Sequence, residues 1–430
     1  MSEASGALEL ISRLEQSGYE AWIVGGAVRD RLMGGEGHDM DLATNAVPDE
    51  IEQVFSDCRT LDVGKSFGTV RVVYREYVYE VTTYRAESDY RDGRHPEQVV
   101  FSDRIEDDLK RRDFTINAMA WHPERGLLDL YGGVEDLRSG TLRAVGVASE
   151  RIGEDALRML RAIRFSSRFG FELDTALFEA IRGHHAALRH VSAERCYDEL
   201  ERMLCGPSPA QAMLLLHQTM LWDDVFPELQ WNAVHGAILE TTAPSPAMRW
   251  AALGRGNTTV TGDRRPLPIL DEFTEEDSRR MGRVLKRLKS SNALQREATA
   301  LLRMRVEDLP QSREMMQRFM GKHQKLTDAH LAFLSAEVEA AQMEGMDSLR
   351  WSRRVMLAGE LEEDVIRLKL PVGLQDLAVR GNTLLSWGCA PGEPIGEALC
   401  LLLDAVIDGK TENTADALRQ YWRMQQKGEK

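Results

Sequence analysis

The chain has 430 residues and a formal net charge of −15. At roughly 100–200 residues per domain that length predicts two to four compact units. The acidity argues against a protein that coats nucleic acid through general positive charge, and local basic patches decide whether it binds there. Five cysteines, Cys58, Cys196, Cys205, Cys389 and Cys400, form no CxxC pair and no zinc spacing, so reduced thiols in a cytoplasmic protein are expected. Residues 1–9 have no basic start, and no apolar run is long enough to cross a bilayer, so neither a signal peptide nor a membrane span is expected.

The first third reads as mixed α/β. Leu8, Ile11 and Leu14 share one helical face over residues 7–18, with Gly18 as the stop. Strands are predicted at 21–24, 40–43, 68–74 and 78–84, the last two as a hairpin around Arg75-Glu76-Tyr77. Residues 86–96 are polar and poor in aliphatics, which predicts a mobile surface loop. From about 150 to 430 helical periodicity dominates, with joints at 207–209, 242–246 and 254–268. The predicted class is α+β: an α/β head followed by a long all-helical remainder.

The chemistry concentrates in a few motifs. Gly25-Gly26 would let phosphates approach backbone N–H groups, and Arg29 follows. Asp39 and Asp41, one residue apart, would project from one side of a strand and suit Mg²⁺ shared with substrate phosphates. Glu80, on a strand expected beside them, is the candidate third carboxylate. Within Lys110-Arg111-Arg112-Asp113-Phe114-Thr115-Ile116-Asn117, the cations would meet phosphate and Asp113 and Asn117 a ribose, placed as at a capped helix start.

Residues 151–168 read as one helix with Ala156, Met159, Leu160 and Ile163 on one face and Arg158, Arg161, Arg164 and Arg168 on the other. Like charges on one arc repel, and bound phosphate would relieve them. Asp155 and Arg158 would sit side by side, an acceptor next to a donor. Such a pair can accept the amino and ring-nitrogen edge of cytosine or adenine and reject uracil and guanine, without a nucleic-acid template. A helix opening at Ser192 would brace this one. Arg279, Arg280, Arg283, Lys286, Arg287 and Lys289, with Arg350, Arg353 and Arg354, form a candidate RNA-backbone track.

With these motifs in place the chain resembles the bacterial class II tRNA nucleotidyltransferases, the CCA-adding enzymes of the polymerase-β-like superfamily. The likeness is strongest over residues 20–205. It continues through Leu377-Ala378-Val379-Arg380-Gly381-Asn382 and the Pro391–Leu399 stretch. The resemblance implies a seahorse-like head (1–140), neck (141–205), body (206–330) and tail (331–430). It implies metal binding by Asp39 and Asp41 with Glu80 assisting. Triphosphate contacts fall at Gly26, Arg29 and Arg112, the ribose motif at Asp113 and Asn117, and the base template at Asp155 and Arg158, with Arg161 and Arg164 completing the nucleotide site. The implied substrates are CTP, ATP and the tRNA acceptor end, and the implied cofactor is Mg²⁺. Poly(A) polymerases share these motifs, but typically have a basic pair before the residue matching Phe67 and lack the Gly68-Thr69 that follows it here. CC-adding relatives typically lack a loop such as residues 87–97, and A-adding relatives are harder to separate. A small-molecule nucleotidyltransferase would need no long helical remainder, and a non-catalytic RNA scaffold no Asp/Asp/Glu set.

Overall fold

Residues Ala21–Val24 form β1, and all four side chains are buried. Ile23 packs into one apolar cluster with Leu10, Leu42 and Val81, whereas Trp22 and Val24 pack into another with Tyr84 and Leu109. Successive strand side chains point to opposite faces, so β1 is covered on both sides. The structure, a computed structural model, describes every residue except 1, 36, 38, 62, 63, 87–99, 231–233, 256–274, 429 and 430. The predicted loop at 87–97 and most of the joint at 254–268 lie outside the described residues.

Leu42–Thr44 (β2), Arg59–Leu61 (β3), Thr69–Tyr74 (β4), Tyr77–Thr83 (β5), Met119–His122 (β6) and Gly126–Asp129 (β7) complete a seven-stranded sheet in the order β3-β4-β5-β2-β1-β6-β7. β2 runs parallel to β5, with Leu42 opposite Val81. β4 and β5 are antiparallel, with Arg71 opposite Glu80. The hairpin is as expected but tighter: Tyr74 pairs with Tyr77, and Arg75 takes a left-handed φ of 57°, as two-residue hairpin turns demand. The first helix spans Glu3–Gln16 and is capped by the Ser2 hydroxyl.

Three local expectations are corrected. Asp39 and Asp41 do not lie on a strand. Asp39 has φ 55°, the Asp41 N–H donates to the Asp39 carbonyl at 2.9 Å, and β2 begins at Leu42. Asp113 and Asn117 do not open an α-helix. Thr115–Asn117 is a single 3₁₀ turn, and the apolar segment after it pairs with β1 as β6. The 151–168 segment is two helices, Ala148–Glu154 and Leu157–Phe169, broken at an extended Asp155 (φ −146°, ψ 105°) whose side chain accepts from the Leu157 N–H.

The chain forms two compact units, Met1–Pro227 with Arg287–Lys289, and Glu228–Lys286 with Ser290–Lys430. The first carries the sheet and the helices through Leu221–Val225. The second is helical throughout its described residues, with Trp250, Leu253, Leu302 and Phe333 buried and a C-terminal cluster around Leu384, Leu402, Leu418 and Trp422. Its buried charged pair is Arg255–Glu337, where Arg255 also donates to the Leu302 and Met304 carbonyls at 2.7 and 2.6 Å. All five cysteines are free thiols. Among the described residues no helix is long and apolar enough to cross a membrane.

Candidate active site

The break at Asp155, the turn at Asp39 and the Gly25-Gly26 bend open onto one cavity of about 780 Å³ in the first unit. It is lined by all twelve candidate residues: Gly26, Arg29, Asp39, Asp41, Glu80, Arg112, Asp113, Asn117, Asp155, Arg158, Arg161 and Arg164. Ten arginines and six carboxylates face it, so a chain of net charge −15 concentrates positive charge here.

Asp41 stands at the head of β2. Because Leu42 pairs with Val81, the residues just before them, Asp41 and Glu80, are neighbours on adjacent strands. Burial pushes the Asp41 carboxyl up to about 6, and the Glu80 and Asp39 charges add to that while Arg112 opposes it. A buried carboxylate crowded by two others calls for a cation, and hard oxygen donors fit Mg²⁺. Among the described residues no three His, Cys, Asp or Glu side chains converge on one metal position. Two protein carboxylates with substrate phosphates and water is the set that suits Mg²⁺. Glu80 has apolar neighbours in the sequence but does not share their burial. Val81 and Tyr79 face the core, and Glu80 points to the other face, half exposed, where Arg71 on β4 donates to it at 2.6 Å.

Gly25 (φ 70°) admits no side chain: a Cβ there would stand 2.7 Å from the Arg112 guanidinium. Arg112 is anchored on Asp108 at 3.1 Å and the Asn117 carbonyl at 3.3 Å. Burial works against the Asp108 charge, yet Arg112 and Arg111 hold its carboxyl below the usual range. The ribose candidates are already joined. The Asn117 amide donates to Asp113 at 3.1 Å, and buried Arg29 donates to the Asn117 oxygen at 2.5 Å. Arg161 donates to Asp113 at 2.6 and 2.8 Å. Burial would raise the Asp113 carboxyl, but Arg161, Asn117 and the Phe114 N–H bring it below its ordinary value.

The arginine arc on Leu157–Phe169 exists, but its repulsion is largely met by protein carboxylates rather than left for a ligand. Arg164 donates to Glu199 at 2.5 Å and lies over the Phe165 ring at 4.2 Å. Glu199 belongs to the Ala193–Leu204 helix that opens at Ser192, so the bracing expected of that helix is electrostatic. Asp155 and Arg158 do not pair with each other. Asp155 accepts from Arg195 at 2.7 Å. Arg158 pairs with Glu154 and donates to the Arg151 and Arg111 carbonyls at 2.8 and 3.0 Å. The acceptor and the donor are thus each fixed by a separate partner.

Sequence reasoning missed Asp108, Glu154 and Arg195 as holders of site residues. The first two carry a signal, since Asp108 lies three and four residues before Arg111 and Arg112, and Glu154 four before Arg158. Arg195 and Arg202 reach the cavity through tertiary packing, which spacing does not reveal. Part of the candidate RNA track is paired from within: Arg279 pairs with Glu275 at 3.0 Å, Arg283 with Glu276 at 2.9 Å and Lys289 with Glu194 at 2.6 Å. Arg354 donates to the Glu307 and Leu309 carbonyls at 2.8 and 2.9 Å.

Three family models match the chain: a poly(A) polymerase head domain over residues 21–143, an RNA- and SrmB-binding site of polymerase A over 170–232, and a tRNA nucleotidyltransferase domain 2 over 272–422. A CCA-adding enzyme of Lactobacillus helveticus is 31% identical, the match covering 96% of each chain. One of Geobacillus thermodenitrificans is 36% identical, over 97% of this chain and 96% of the other. The crystal structure of the Bacillus stearothermophilus CCA-adding enzyme in complex with CTP matches at 31% identity and a TM-score of 0.75, covering 100% of this chain and 99% of that one.

Proposed function

The chain belongs to the CCA-adding enzymes, the tRNA nucleotidyltransferases, and on that premise we propose that it adds C, C and A in turn to the 3′ end of tRNA from CTP and ATP, releasing diphosphate, in the cytoplasm. The observation that carries this reading is the convergence of all twelve candidate residues on one cavity. Enzymes of this family depend on a metal ion, which we take to be Mg²⁺, held by Asp39 and Asp41 with Glu80 beside them. Bound there in a two-metal arrangement, Mg²⁺ would supply the charge that activates the tRNA 3′-hydroxyl and steadies the leaving diphosphate.

The chain's own residues do the rest. Gly25 and Gly26 leave room for phosphate at the backbone. Arg112 and Arg29, fixed by Asp108 and Asn117, face the triphosphate. Asp113 and Asn117 exchange their mutual bond for ribose hydroxyls. Asp155 accepts the exocyclic amino group of cytosine or adenine, and Arg158 donates to the adjoining ring nitrogen, so U and G meet donor against donor. Arg161 and Arg164 complete the nucleotide site. We propose that the chain divides into head (1–140), neck (141–205), body (206–330) and tail (331–430), the last two contacting tRNA.

The test is extension of three tRNA transcripts, ending at the discriminator base, in C and in CC, with Mg²⁺ and each nucleotide. Addition of C, C and a single A is expected. Arrest after CC marks a CC-adding activity, extension only from CC an A-adding one, and a long A ladder a poly(A) polymerase.

A further inference from the structure

The second unit contains a cavity of about 760 Å³ that the catalytic reading does not use. Met304, Met315, Phe319, His323 and His330 line it. The Phe319 and His323 rings lie 4.4 Å apart, and His330 meets His323 edge-on at 4.9 Å. His330 is 1% exposed. Neither of its ring nitrogens has a partner in full hydrogen-bond geometry among the described residues, and the Ala300 backbone, near enough to favour the protonated ring, only partly offsets its burial. Burial, and then the neighbouring His323, push its pKa down to about 4, so the ring is neutral and offers one N–H donor and one acceptor. Buried polar atoms are rarely left so.

The rim is cationic. Arg303, Arg318 and Lys322 all line the cavity, and Arg318 and Lys322 are four residues apart on one face of the Arg313–His323 helix. Arg318 is shared with Asp408 at 2.6 Å and Asp404 at 3.3 Å. Arg303 and Lys322 have no ion pair or side-chain hydrogen bond among the described residues. The one carboxylate of the lining, Asp308, is taken by Arg305 at 3.3 Å.

Polarizable and aromatic walls, a buried donor–acceptor ring and open cations at the rim describe one ligand chemistry. We infer that this cavity is a binding site for a nucleotide. The heterocycle lies against Phe319, Met315 and His323, its polar edge meets His330, and its phosphate meets Arg303 and Lys322. A neutral hydrophobe would leave the imidazole and the cations unused, and a bare anion would leave the apolar walls unused. The nucleotide comes either from bound RNA, as one unstacked base, or from solution as a free mononucleotide.

The test uses the full chain as wild type, as His330→Phe and as the exposed pair Arg303→Ala/Lys322→Ala. Binding of AMP and of inorganic phosphate is measured by equilibrium dialysis, and contact with a 4-thiouridine-substituted tRNA transcript by ultraviolet cross-linking with peptide mapping. Neither readout scores nucleotide addition, so the outcome is independent of the catalytic reading. A loss of about tenfold in both variants is expected, in the cross-link to peptides from residues 300–330 if the source is RNA, or in AMP binding if it is free nucleotide. Unchanged values in both arms overturn the inference. So does a loss confined to the rim variant and matched with inorganic phosphate, which marks an anion patch only. Should His330→Phe melt early, Phe319→Leu replaces it, with the same outcomes.

Discussion

The two units hold cavities of nearly equal volume, about 780 and 760 Å³, built on opposite principles. In the first, charged side chains face the space and the key ones are already met: Arg112 by Asp108, Arg161 by Asp113, Arg164 by Glu199, Asp155 by Arg195. In the second the walls are apolar and the one deeply buried polar ring is unmet. A network satisfied in advance holds its donors in place without a ligand, which is the preorganisation that charge-stabilising sites require. A site with polar atoms in reserve gains most when something binds.

The largest effect tests the carboxylates of the first cavity. Asp39→Ala or Asp41→Ala should lower nucleotide addition roughly 10³-fold or more while the melting curve stays cooperative. Near-normal single-turnover rates in a folded variant would contradict the metal assignment.

Next come the two buried ion pairs, one beside a cavity and one sealed. Removing Glu199 takes the counter-charge from buried Arg164, and removing Glu337 takes it from buried Arg255, so each alanine variant should lose about 3 kcal/mol of stability in denaturant titrations. Only Glu199→Ala should also weaken CTP binding at a temperature where both variants are folded. Equal effects on CTP would dissolve the distinction. Arg158→Ala should reduce discrimination of CTP over UTP by about 10²-fold while changing KM for CTP less, read from kcat/KM for each nucleotide. Unchanged fidelity would remove Arg158 from base choice.

The pH dependence follows from Asp41. Its carboxyl is raised to about 6 from an ordinary 3.8, so the native state holds a proton that the unfolded state has lost. Stability of the metal-free protein therefore falls as pH rises from about 4 to about 6. Asp41→Asn, neutral throughout, should be more stable than wild type above pH 6 in chelator, by about 1–2 kcal/mol, and inactive. The smallest effect is Arg283→Ala, whose exposed pairing with Glu276 is screened by solvent, so the melting temperature should stay within the scatter of wild type.

Much of this was legible from local pattern. Alternation placed β1, β4 and β5, and the Leu157–Phe169 helix buries the Met159, Leu160 and Ile163 face that its periodicity predicts. What escaped depends on distant partners. β6 follows a polar stretch that reads as a helix start, and pairing with β1 draws it into the sheet. Asp39 takes a left-handed turn that Asp tolerates and that strand periodicity cannot foresee. The counter-ion of Glu80, Arg71, sits across the hairpin, where local sequence does not show it. The arginine arc looked uncompensated because Glu199 lies 35 residues beyond Arg164.

The most direct measurement is a crystal structure of the full chain with CTP and Mg²⁺. The account predicts the cytosine edge within hydrogen-bond distance of Asp155 and Arg158, and the triphosphate between Arg112 and the Asp39/Asp41 pair. A cytosine bound elsewhere, with Asp155 and Arg158 touching only Arg195 and Glu154, would contradict it.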